Sequence, residues 1–351
     1  MTREACMNIA VLIPSLDPDG ALPELAEQLI RLGANRIVVV DDGSAVREPF
    51  DRCARLGCAV VRHPVNRGKG EALRTGLRAA REMWPQLAGV VTADGDGQHS
   101  PADIVRVARE TERRPDSLTL GTRDFSGPGV PARSRFGNRF SSLFFRLSAG
   151  IACPDTQTGL RGIPAALFDL ALTAEGSRYE YEMNVLFTAA RRGIPLHFVG
   201  IETIYADGNR TSHFRPIADS ARIYAMPLRF AAASLASFLV DFALFTLFSR
   251  LLAVRTARAI FAATAAARVC SGVLNFVLGR NWTFSSASGD WRAQGARYLA
   301  LFLGQMAASA ALVWLLSFLP APLPLIKIAV DTALFCASYF IQRGWVFRRG
   351  A

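Results

Sequence analysis

Four long apolar segments in the last third of the chain restrict its fold more than any other feature. Their bounds are 228–248, 259–278, 298–319 and 323–341. Each is close to the roughly 20 residues that an α-helix needs to cross a bilayer. Up to about residue 214, charged residues occur throughout, as in a soluble protein. The sequence therefore predicts a soluble domain over residues 1–225 and an all-α domain of four transmembrane helices over residues 226–351.

The formal net charge of +11 narrows the choice of ligands. Basic chains bind nucleic acids, anionic lipids or phosphorylated substrates. The arginines are dispersed here, and neither a zinc-finger spacing nor an RNA-binding aromatic motif is present, so nucleic acid is not an expected partner. A membrane surface and a phosphate-rich substrate account for the charge. The six cysteines form no C-x-x-C pair, which argues against a zinc site and a disulfide framework.

The orientation in the membrane follows from the number of spans and from the flanking arginines. An even number of spans returns the chain to its starting side, and the N-terminal segment has no signal-peptide pattern. Arginines that fit a cytoplasmic location are Arg280, Arg292, Arg297, Arg343, Arg348 and Arg349. Arginines that oppose it, in the first outer loop, are Arg250, Arg255 and Arg258. We expect a multi-pass protein of the cytoplasmic membrane whose soluble domain lies in the cytoplasm.

Short apolar runs alternate with helical patterns in the soluble domain. The predicted strands are 7–13, 36–40, 59–62 and 87–92, and the predicted helices include 22–32 and 69–84. Strands that alternate with helices indicate a parallel α/β sheet. No G-x-G-x-x-G follows the first strand and no Walker A motif is present, which excludes two common nucleotide-binding folds.

Polar residues follow the end of each predicted strand. They are Asp17, Asp41, Asp42, Asn66 to Lys69, Asp94 and Asp96. Each alone is an ordinary turn residue. Four successive strand ends of this kind favour a ligand site, because ligands of open α/β sheets bind outside the carboxyl ends of the strands.

The segment Asp94-Gly95-Asp96 has the composition of a metal site. Residues i and i+2 of an extended segment point the same way, so both carboxylates can approach one cation. Oxygen ligands suit Mg²⁺ or Mn²⁺, which usually share their coordination shell with substrate phosphates. The sequence therefore predicts that this segment binds a divalent cation, which also binds the diphosphate of a substrate.

Five ordered motifs resemble glycosyltransferase family 2, and its polyprenyl-phosphate (dolichol-phosphate mannose synthase-like) branch in particular. They are I-P-S-L-D-P-D, V-V-V-D-D-G-S, N-R-G-K-G-E-A-L, A-D-G-D-G-Q-H and D-T-Q-T-G-L-R. The resemblance extends over about residues 7 to 225. It implies a GT-A type α/β fold, a nucleotide-diphosphate sugar as donor, inversion at the transferred sugar, and a polyprenyl phosphate as acceptor.

The resemblance also implies roles for individual residues of this chain. Those that bind the donor would be Pro14, Leu16, Asp17, Asp41, Asp42, Lys69, Asp94 and Gln98, and those at the metal would be Asp94, Asp96 and Gln98. Arg123, Arg135 and Arg139 would bind the acceptor phosphate, and Asp94, Asp96, Arg123 and Arg135 would form the catalytic set. The family often has an aromatic residue at the place of Leu16 and asparagine at the place of Asp17, so this chain departs from the pattern beside the base.

A phosphate acceptor reduces the need for a catalytic base. A hydroxyl nucleophile requires a positioned base, whereas a lipid phosphate is already anionic near neutral pH. We therefore read His99 as a turn residue or a support for the metal motif. The arginine-rich stretch after Pro131 is read either as a solvated surface loop or as a phosphate clamp, and the resemblance favours the clamp. Glu180 and Glu182 fit equally well as helix N-terminal acids or as sugar contacts.

The membrane segments carry four ionisable residues: Asp241, Arg268, Lys327 and Asp331. An ion pair of Arg268 with Asp241 or Asp331 and a path or binding site for a phosphorylated lipid headgroup explain them equally well. The segments 280–284 and 342–347 repeat a basic-then-aromatic pattern, which indicates two related two-helix units. This half is similar to the GtrA family, which implies a role with polyprenyl-linked sugars.

Two other functions remain open. The chain could be a translocase or assembly factor for lipid-linked sugars, with the transferase domain as its partner. It could also be a polysaccharide synthase, although the Q-x-x-R-W motif typical of such enzymes is missing.

Overall fold

The computed structural model describes residues 7–127, 130–203, 225–251, 257–284, 286, 289–320 and 322–347. The chain divides into two compact units, residues 1–223 and 224–351. Each unit is described separately below.

The first unit is built on a seven-stranded sheet. Its strands are β1 (Ile9–Ser15), β2 (Ile37–Asp41), β3 (Ala59–Arg62), β4 (Gly89–Thr92), β5 (Leu118–Arg123), β6 (Arg161–Pro164) and β7 (Leu196–Ile201). Their order across the sheet is β3-β2-β1-β4-β6-β5-β7. The first four strands lie where the sequence predicted strands, to within about two residues at each end.

Helices follow most of the strands. They are α1 (Ala21–Arg31), α2 (Glu48–Arg55), α3 (Lys69–Met83), α4 (Pro101–Arg113), α5 (Ala132–Ala149), α6 (Phe168–Thr173) and α7 (Glu180–Arg191). Alternate residues of a strand point to opposite faces of the sheet. Ile9, Val11 and Ile13 of β1 accordingly join one core cluster with buried residues of α1, α2 and α4. Leu12 points to the opposite face, where Gly76 of α3 packs against it.

The sheet is mixed: the four strands that the sequence predicted pair in parallel, as expected, and one later strand runs antiparallel. β6 pairs antiparallel with both β4 and β5, whereas the other pairings are parallel. The physical reason is the path of residues 124–160. Arg123 ends β5 and its side chain bonds Asp155, so the chain returns to the carboxyl edge before β6 begins. A strand that starts from that edge has to run opposite to its parallel neighbours.

The stretch after Pro131 forms helix α5, so it is not the surface loop that was one of its two interpretations. Phe144 and Phe145 are buried on one side of α5, and both rings contact Phe187 of α7. Asn138 donates a hydrogen bond of 2.8 Å to the carbonyl of Pro154. The arginines of this stretch therefore have fixed positions along a docked helix.

Among the residues that the structure describes, the second unit contains four helices long and apolar enough to cross a membrane. They are α8 (Ala225–Leu251), α9 (Ala257–Leu278), α10 (Trp291–Leu316) and α11 (Leu323–Ile341). They match the four predicted spans. Small buried residues line the contact of α8 with α9 at intervals of four: Ala233 and Ser237, and Ala263, Ala267 and Ser271. Small residues at this spacing let transmembrane helices approach closely.

The repeated basic-aromatic segments adopt the same structure. Gly279–Thr283 and Gln342–Val346 each form a π-helical turn after their transmembrane helix. Phe284 and Phe347, which follow these turns, stack with ring centroids 5.2 Å apart. Trp282 and Trp345 are both exposed, as aromatic side chains at a membrane interface usually are.

The ionisable residues in the spans form ion pairs. Arg268 Nε lies 3.5 Å from Asp241 Oδ2, and Ser271 donates a 2.9 Å hydrogen bond to Asp241. Lys327 Nζ lies 2.9 Å from Asp331 Oδ1, and Ser309 donates to the same carboxylate at 2.8 Å. Arg268 therefore pairs with Asp241, one of the two carboxylates expected for it, whereas Asp331 pairs with Lys327 of its own helix.

Candidate active site

The loops after β1 and β2 are joined through Asp17. Its backbone N–H donates to Ser44 Oγ at 2.8 Å, and its carboxylate accepts from the Ala45 N–H at 2.8 Å. Asp17 has a left-handed backbone, with φ of 43°, and its side chain is exposed. Pro14 is buried at the end of β1 and Leu16 is half-buried in the loop. The predicted base-binding residues are thus held in one place by backbone-to-side-chain hydrogen bonds.

Asp41 is the last residue of β2 and Asp42 follows it, and both are buried. Arg62 Nε lies 2.6 Å from Asp41 Oδ2. The Asp42 carboxylate accepts from the backbone N–H groups of Arg67 and Gly68, at 2.9 and 2.8 Å, and lies 2.7 Å from His63 Nδ1. Asp42 therefore shapes the loop that leads into α3, at whose first residue Lys69 stands.

Lys69 joins two carboxylates at the centre of the site. Its Nζ lies 2.7 Å from Asp94 Oδ1 and 3.1 Å from Glu182 Oε2. Burial opposes the charge of Lys69, but the two carboxylates outweigh it and hold its pKa above the ordinary value. Burial likewise opposes the charge of Asp94, and Lys69 and His99 outweigh it, so the pKa of Asp94 lies below its usual range. The pair is therefore ionised near neutral pH.

Asp96 differs from Asp94 in its surroundings. Burial and the neighbouring charge of Asp94 raise the pKa of the Asp96 carboxyl. Its Oδ1 accepts a 3.1 Å hydrogen bond from the Gln98 N–H, and within residues 7–127 and 130–203 it forms no ion pair. A partly buried carboxylate of this kind beside a second one fits a divalent cation, which would supply the missing positive charge.

The protein side chains do not enclose such a cation by themselves. Among the described residues, no group of three or more His, Cys, Asp or Glu side chains could hold a metal ion. An ion at Asp94 and Asp96 would take its remaining ligands from the substrate, from water or from other oxygen groups such as that of Gln98. This open shell suits Mg²⁺ or Mn²⁺ bound with a diphosphate.

His99 is buried beside the acidic motif. Its Nε2 lies 3.5 Å from Asp94 Oδ2, and neither ring nitrogen has a hydrogen-bond partner in the described part of the chain. The position agrees with the reading of His99 as a support for the metal motif.

The segment Asp155 to Gly159 approaches the site from a distant part of the sequence. A Cβ on Gly159 would lie 2.2 Å from Asp94 Oδ2, so only glycine fits there without displacing the carboxylate. Thr92 Oγ1 donates a 2.8 Å hydrogen bond to the Gly159 carbonyl, which fixes the segment against the end of β4.

Arg123 is fixed at the other end of this segment. Its Nε and Nη2 donate to the two oxygens of Asp155 at 2.8 and 3.2 Å, and Asp155 is completely buried. The Phe125 ring lies beneath the guanidinium, with the centroid 5.1 Å away. Asp155 and Gly159 are four residues apart, so their Cα atoms are separated by at most about 14 Å. Arg123 and Asp94 are therefore linked through one short segment.

The two other predicted acceptor arginines lie on α5. Arg135 Nη2 donates to the carbonyls of Gly127 and Val130, at 3.3 and 3.4 Å, and Arg139 is exposed. The sequence left the role of Glu182 open between a helix N-terminal acid and a sugar contact, because an acid in the first turn of a helix has an ordinary explanation in the helix dipole. It identified Asp155 to Arg161 only through the family resemblance.

Comparison with known families matches both units. Residues 11–168 match glycosyl transferase family 2, and residues 212–347 match the GtrA/DPMS transmembrane domain. The predicted fold class, a GT-A type α/β domain followed by four transmembrane helices, is confirmed by these matches together with the sheet and helices described above.

Two sequences and one solved structure show what this chain is similar to. An uncharacterised protein of Methanocaldococcus jannaschii is 30% identical over 204 residues, which are 57% of this chain and 83% of that protein. The UDP-N-acetylglucosamine–dolichyl-phosphate N-acetylglucosaminyltransferase of Methanococcus voltae is 27% identical over 220 residues, 57% of this chain and 86% of that protein. The structure of glucosyl-3-phosphoglycerate synthase from Mycobacterium tuberculosis, with Mn²⁺, uridine diphosphate and phosphoglyceric acid, is 18% identical. It covers 63% of this chain and 76% of its own, with a TM-score of 0.48.

Proposed function

Because the chain belongs to glycosyl transferase family 2 and carries a GtrA/DPMS transmembrane domain, we propose that it transfers a sugar from a nucleotide-diphosphate sugar to a polyprenyl phosphate. The reaction takes place at the cytoplasmic face of the membrane, depends on a divalent cation and inverts the anomeric centre. The observation that carries the proposal is the segment Asp155 to Gly159, which bonds Arg123 at one end and touches Asp94 at the other. The dolichyl-phosphate acceptor named for the Methanococcus voltae relative supports the choice of acceptor.

Asp94, Asp96 and Lys69 would act on the leaving group. Mg²⁺ or Mn²⁺, held by Asp94 and Asp96 with Gln98 nearby, would stabilise the negative charge that develops on the diphosphate. Lys69 is close enough to add a second positive charge there, since its ammonium already contacts Asp94. Its other contact, with Glu182, keeps it in place when Asp94 turns toward the cation.

Arg123 would bind the attacking phosphate. The Asp155 carboxylate and the Phe125 ring fix its guanidinium in one orientation, so little conformational entropy is lost when a phosphate binds. A phosphate oxygen of the lipid attacks the anomeric carbon while the bond from that carbon to the diphosphate oxygen breaks. The electron pair leaves with the diphosphate, and attack from the opposite face inverts the configuration. No base is needed, because the attacking oxygen carries no proton to be removed.

The test is transfer of labelled sugar to polyprenyl phosphate by the full chain in membrane vesicles, with a panel of nucleotide sugars and Mg²⁺ or Mn²⁺. We expect Asp96→Asn and Asp96→Ala to lower the rate of lipid-linked sugar formation by about 100-fold or more, because the cation's contribution is worth several kcal/mol. Isothermal titration of Mn²⁺ into each variant, with the nucleotide diphosphate present, should show weaker metal binding alongside the lower rate.

Asp116→Asn is the matched control. This exposed aspartate precedes β5, at the edge of the sheet away from the acidic motif, and its substitution should leave transfer unchanged. Wild-type turnover by both Asp96 variants would contradict the metal assignment. Transfer to a hydroxyl acceptor but not to polyprenyl phosphate would contradict the proposed acceptor.

A further inference from the structure

Two cysteines of the first unit meet where α2 leads into β3. Cys53 lies in the last turn of α2, and Cys58 directly precedes the first residue of β3. The Cys58 N–H donates a 3.0 Å hydrogen bond to the Cys53 carbonyl, so the two Cα atoms are at most about 7 Å apart. Disulfide-bonded cysteines usually have Cα atoms about 4.4–6.8 Å apart, so this pair is close enough to be bridged.

The pairing of these cysteines follows from the way α2 ends. Gly57 has a left-handed backbone, with φ of 92°, and its N–H donates to the Ala54 carbonyl at 3.0 Å. Together with the bond from Cys58 to Cys53, this forms a Schellman motif, which usually brings two apolar side chains into contact across the helix end. In this chain both of those side chains are thiols. The turn that ends the helix therefore also brings two sulfur atoms together.

The two thiols differ in exposure and in proton affinity. Cys53 is completely buried, whereas Cys58 is 7% exposed. The hydrogen bond from the Cys53 thiol to the Cys58 sulfur raises the pKa of Cys53 and lowers the pKa of Cys58. The thiolate is the reactive form of cysteine. Redox-sensitive pairs commonly combine one thiol of lowered pKa, closer to solvent, with a second thiol behind it.

Cys153 shows what an isolated buried thiol does in the same unit. It is 2% exposed, and burial raises its pKa to about 11. It therefore stays protonated near neutral pH and should be inert toward oxidants. Cys153 thus serves as an internal control for the reactivity of the pair.

Small oxidants can reach the pair by a local opening of the fold. β3 is the first strand in the order of the sheet, three of its four residues are only half-buried, and α2 has eight residues. Short elements at the border of a fold open at a lower free-energy cost than its core. Access to Cys58 therefore does not require unfolding of the whole unit.

We propose that Cys53 and Cys58 form a reversible redox-modification site, which a small peptide disulfide of the glutathione type oxidises to an intramolecular disulfide. The Cys58 thiolate attacks one sulfur of the oxidant, forms a mixed disulfide and releases one thiol. Cys53 then attacks the Cys58 sulfur, the bond to the oxidant breaks, and the second thiol leaves. Two protein thiols lose two electrons and two protons, and the oxidant takes them up as two thiols. In a reducing compartment such a bridge is transient, as is usual for redox-sensing pairs.

A consequence for the donor site rests on the proposed function. Arg62 of β3 contacts Asp41 at 2.6 Å, and the Phe50 ring of α2 lies beside the same guanidinium, with its centroid 5.9 Å away. The bridge thus joins the two elements that hold Asp41, one of the proposed donor-binding residues. Formation of a covalent bond requires the sulfurs to come closer than their hydrogen bond leaves them. We expect α2 and β3 to shift toward each other and the Arg62–Asp41 contact to shift with them.

The bridge is tested by thiol trapping on the purified full chain in nanodiscs. The protein is equilibrated in mixtures of reduced and oxidised glutathione, quenched in acid and alkylated after unfolding. Trypsin cleaves after Arg52, Arg55 and Arg62, so the two cysteines fall on separate peptides, 53–55 and 56–62. Mass spectrometry should show these peptides joined, two hydrogens lighter than their sum, with a fraction that rises with oxidised glutathione and falls again on reduction. Cys153 should be alkylated under all of these conditions.

Three variants make the result decisive. Glu82→Cys adds an exposed cysteine that should form a mixed disulfide and so reports that the oxidant is active. Cys153→Ala should keep the bridge. Cys53→Ala should leave glutathione attached to Cys58, because no second thiol displaces it. Two alkylated thiols at positions 53 and 58, under conditions that modify Glu82→Cys, overturn the proposal, and so does a wild-type protein that keeps glutathione on Cys58 beside a free Cys53.

The link to the donor has its own readout. Oxidation should raise the KM for the nucleotide sugar about threefold and leave kcat unchanged, since a shift at Asp41 affects binding rather than the reacting atoms. Cys153→Ala should respond in the same way, and Cys58→Ala should not respond. An unchanged KM in a protein whose peptides are bridged would overturn the link and leave the redox site standing. Absence of transfer by the wild-type protein would contradict the proposed function, whereas the bridge is measured without any enzyme assay.

Discussion

The position of Lys69 depends on the preceding residue, Gly68, as well as on the contacts of its own side chain. Gly68 has φ of 97°, and a Cβ there would lie 2.5 Å from the Ser177 carbonyl oxygen, so only glycine fits. The Gly68 N–H donates to Asp42 at 2.8 Å. These contacts hold the first turn of α3 so that the Lys69 ammonium meets Asp94 and Glu182 before any ligand binds. The site is therefore organised in advance, which lowers the cost of binding a charged donor.

Among single residues, Gly159 gives the sharpest prediction. In Gly159→Ala the new Cβ would fall on Asp94 Oδ2, so the carboxylate has to move away from its position beside Lys69. A displacement of about 1 Å at a catalytic group lowers the rate by about 100-fold. We expect a loss of this size in sugar transfer, together with weaker Mn²⁺ binding, measured by a radiolabelled transfer assay and by titration.

Gly200→Ala is the control for this substitution. Gly200 lies in β7, and a Cβ there meets no atom within 4 Å. The control should keep full activity and an unchanged melting temperature. If Gly159→Ala transfers sugar as fast as Gly200→Ala, then the position of Asp94 does not limit the reaction.

At the level of elements, the early strands were predictable and the later part of the sheet was not. β1, β2 and β4 are continuous buried apolar runs because helices cover both faces, and Asp or Gly residues mark their ends. β6 is only four residues long, Arg161–Pro164, and begins with a buried arginine. Its antiparallel direction depends on the return of residues 124–160 to the carboxyl edge. The local sequence of β6 contains no pattern that indicates this path of the chain.

The contact between α8 and α9 depends on small side chains. Ala267 of α9 is 1% exposed, beside Ala263 and Ser271 in the same row, so no space is left for a larger residue. We expect Ala267→Leu to destabilise the second unit by about 1–3 kcal/mol, the usual effect of an added side chain in a packed core. The measurement is thermal unfolding of the purified full chain in detergent, followed by circular dichroism.

Ala266→Leu separates this effect from a change in hydrophobicity. Ala266 is the preceding residue on α9, is exposed, and receives the same three-carbon extension. Its substitution should leave the melting temperature within about one degree of wild type, since exposed positions rarely change stability by more than about 0.5 kcal/mol. Equal destabilisation by both variants would show that close packing at Ala267 is not what holds α8 against α9.

For the whole molecule, the division into two units could be predicted because one unit is expected to fold in water and the other in lipid. The apolar segments have to satisfy backbone hydrogen bonds in lipid, which favours long helices that any sequence scan can find. The site is harder, because its groups come from far apart in the sequence. Asp94 and Lys69 follow strands and carry a visible signal, whereas Glu182 joins them from a helix more than a hundred residues after Lys69. Only the folded sheet brings that carboxylate to the site.

The orientation of the whole molecule provides the last prediction. If all four helices span the membrane, we expect the first unit and the turn at Gln342–Val346 on one side and the connection between α10 and α11 on the other. Arg280 and Arg297 would lie on the first of these sides, since Arg297 donates to the Trp345 carbonyl, and basic residues near spans favour the cytoplasm. Nucleotide sugars are cytoplasmic, so the proposed reaction requires the same orientation.

Single cysteines at two exposed positions test this arrangement, in a chain whose native cysteines have been replaced. Glu82→Cys reports on the first unit, and Ser317→Cys reports on the connection after α10. A membrane-impermeant maleimide should label residue 82 only in inside-out vesicles and residue 317 only in right-side-out vesicles. The reverse pattern would place the site on the side of the membrane opposite to its nucleotide-sugar donor. Labelling of both positions from one side would contradict the count of four spans. Because the two cysteines report opposite sides in the same preparation, each serves as the internal control for vesicle orientation.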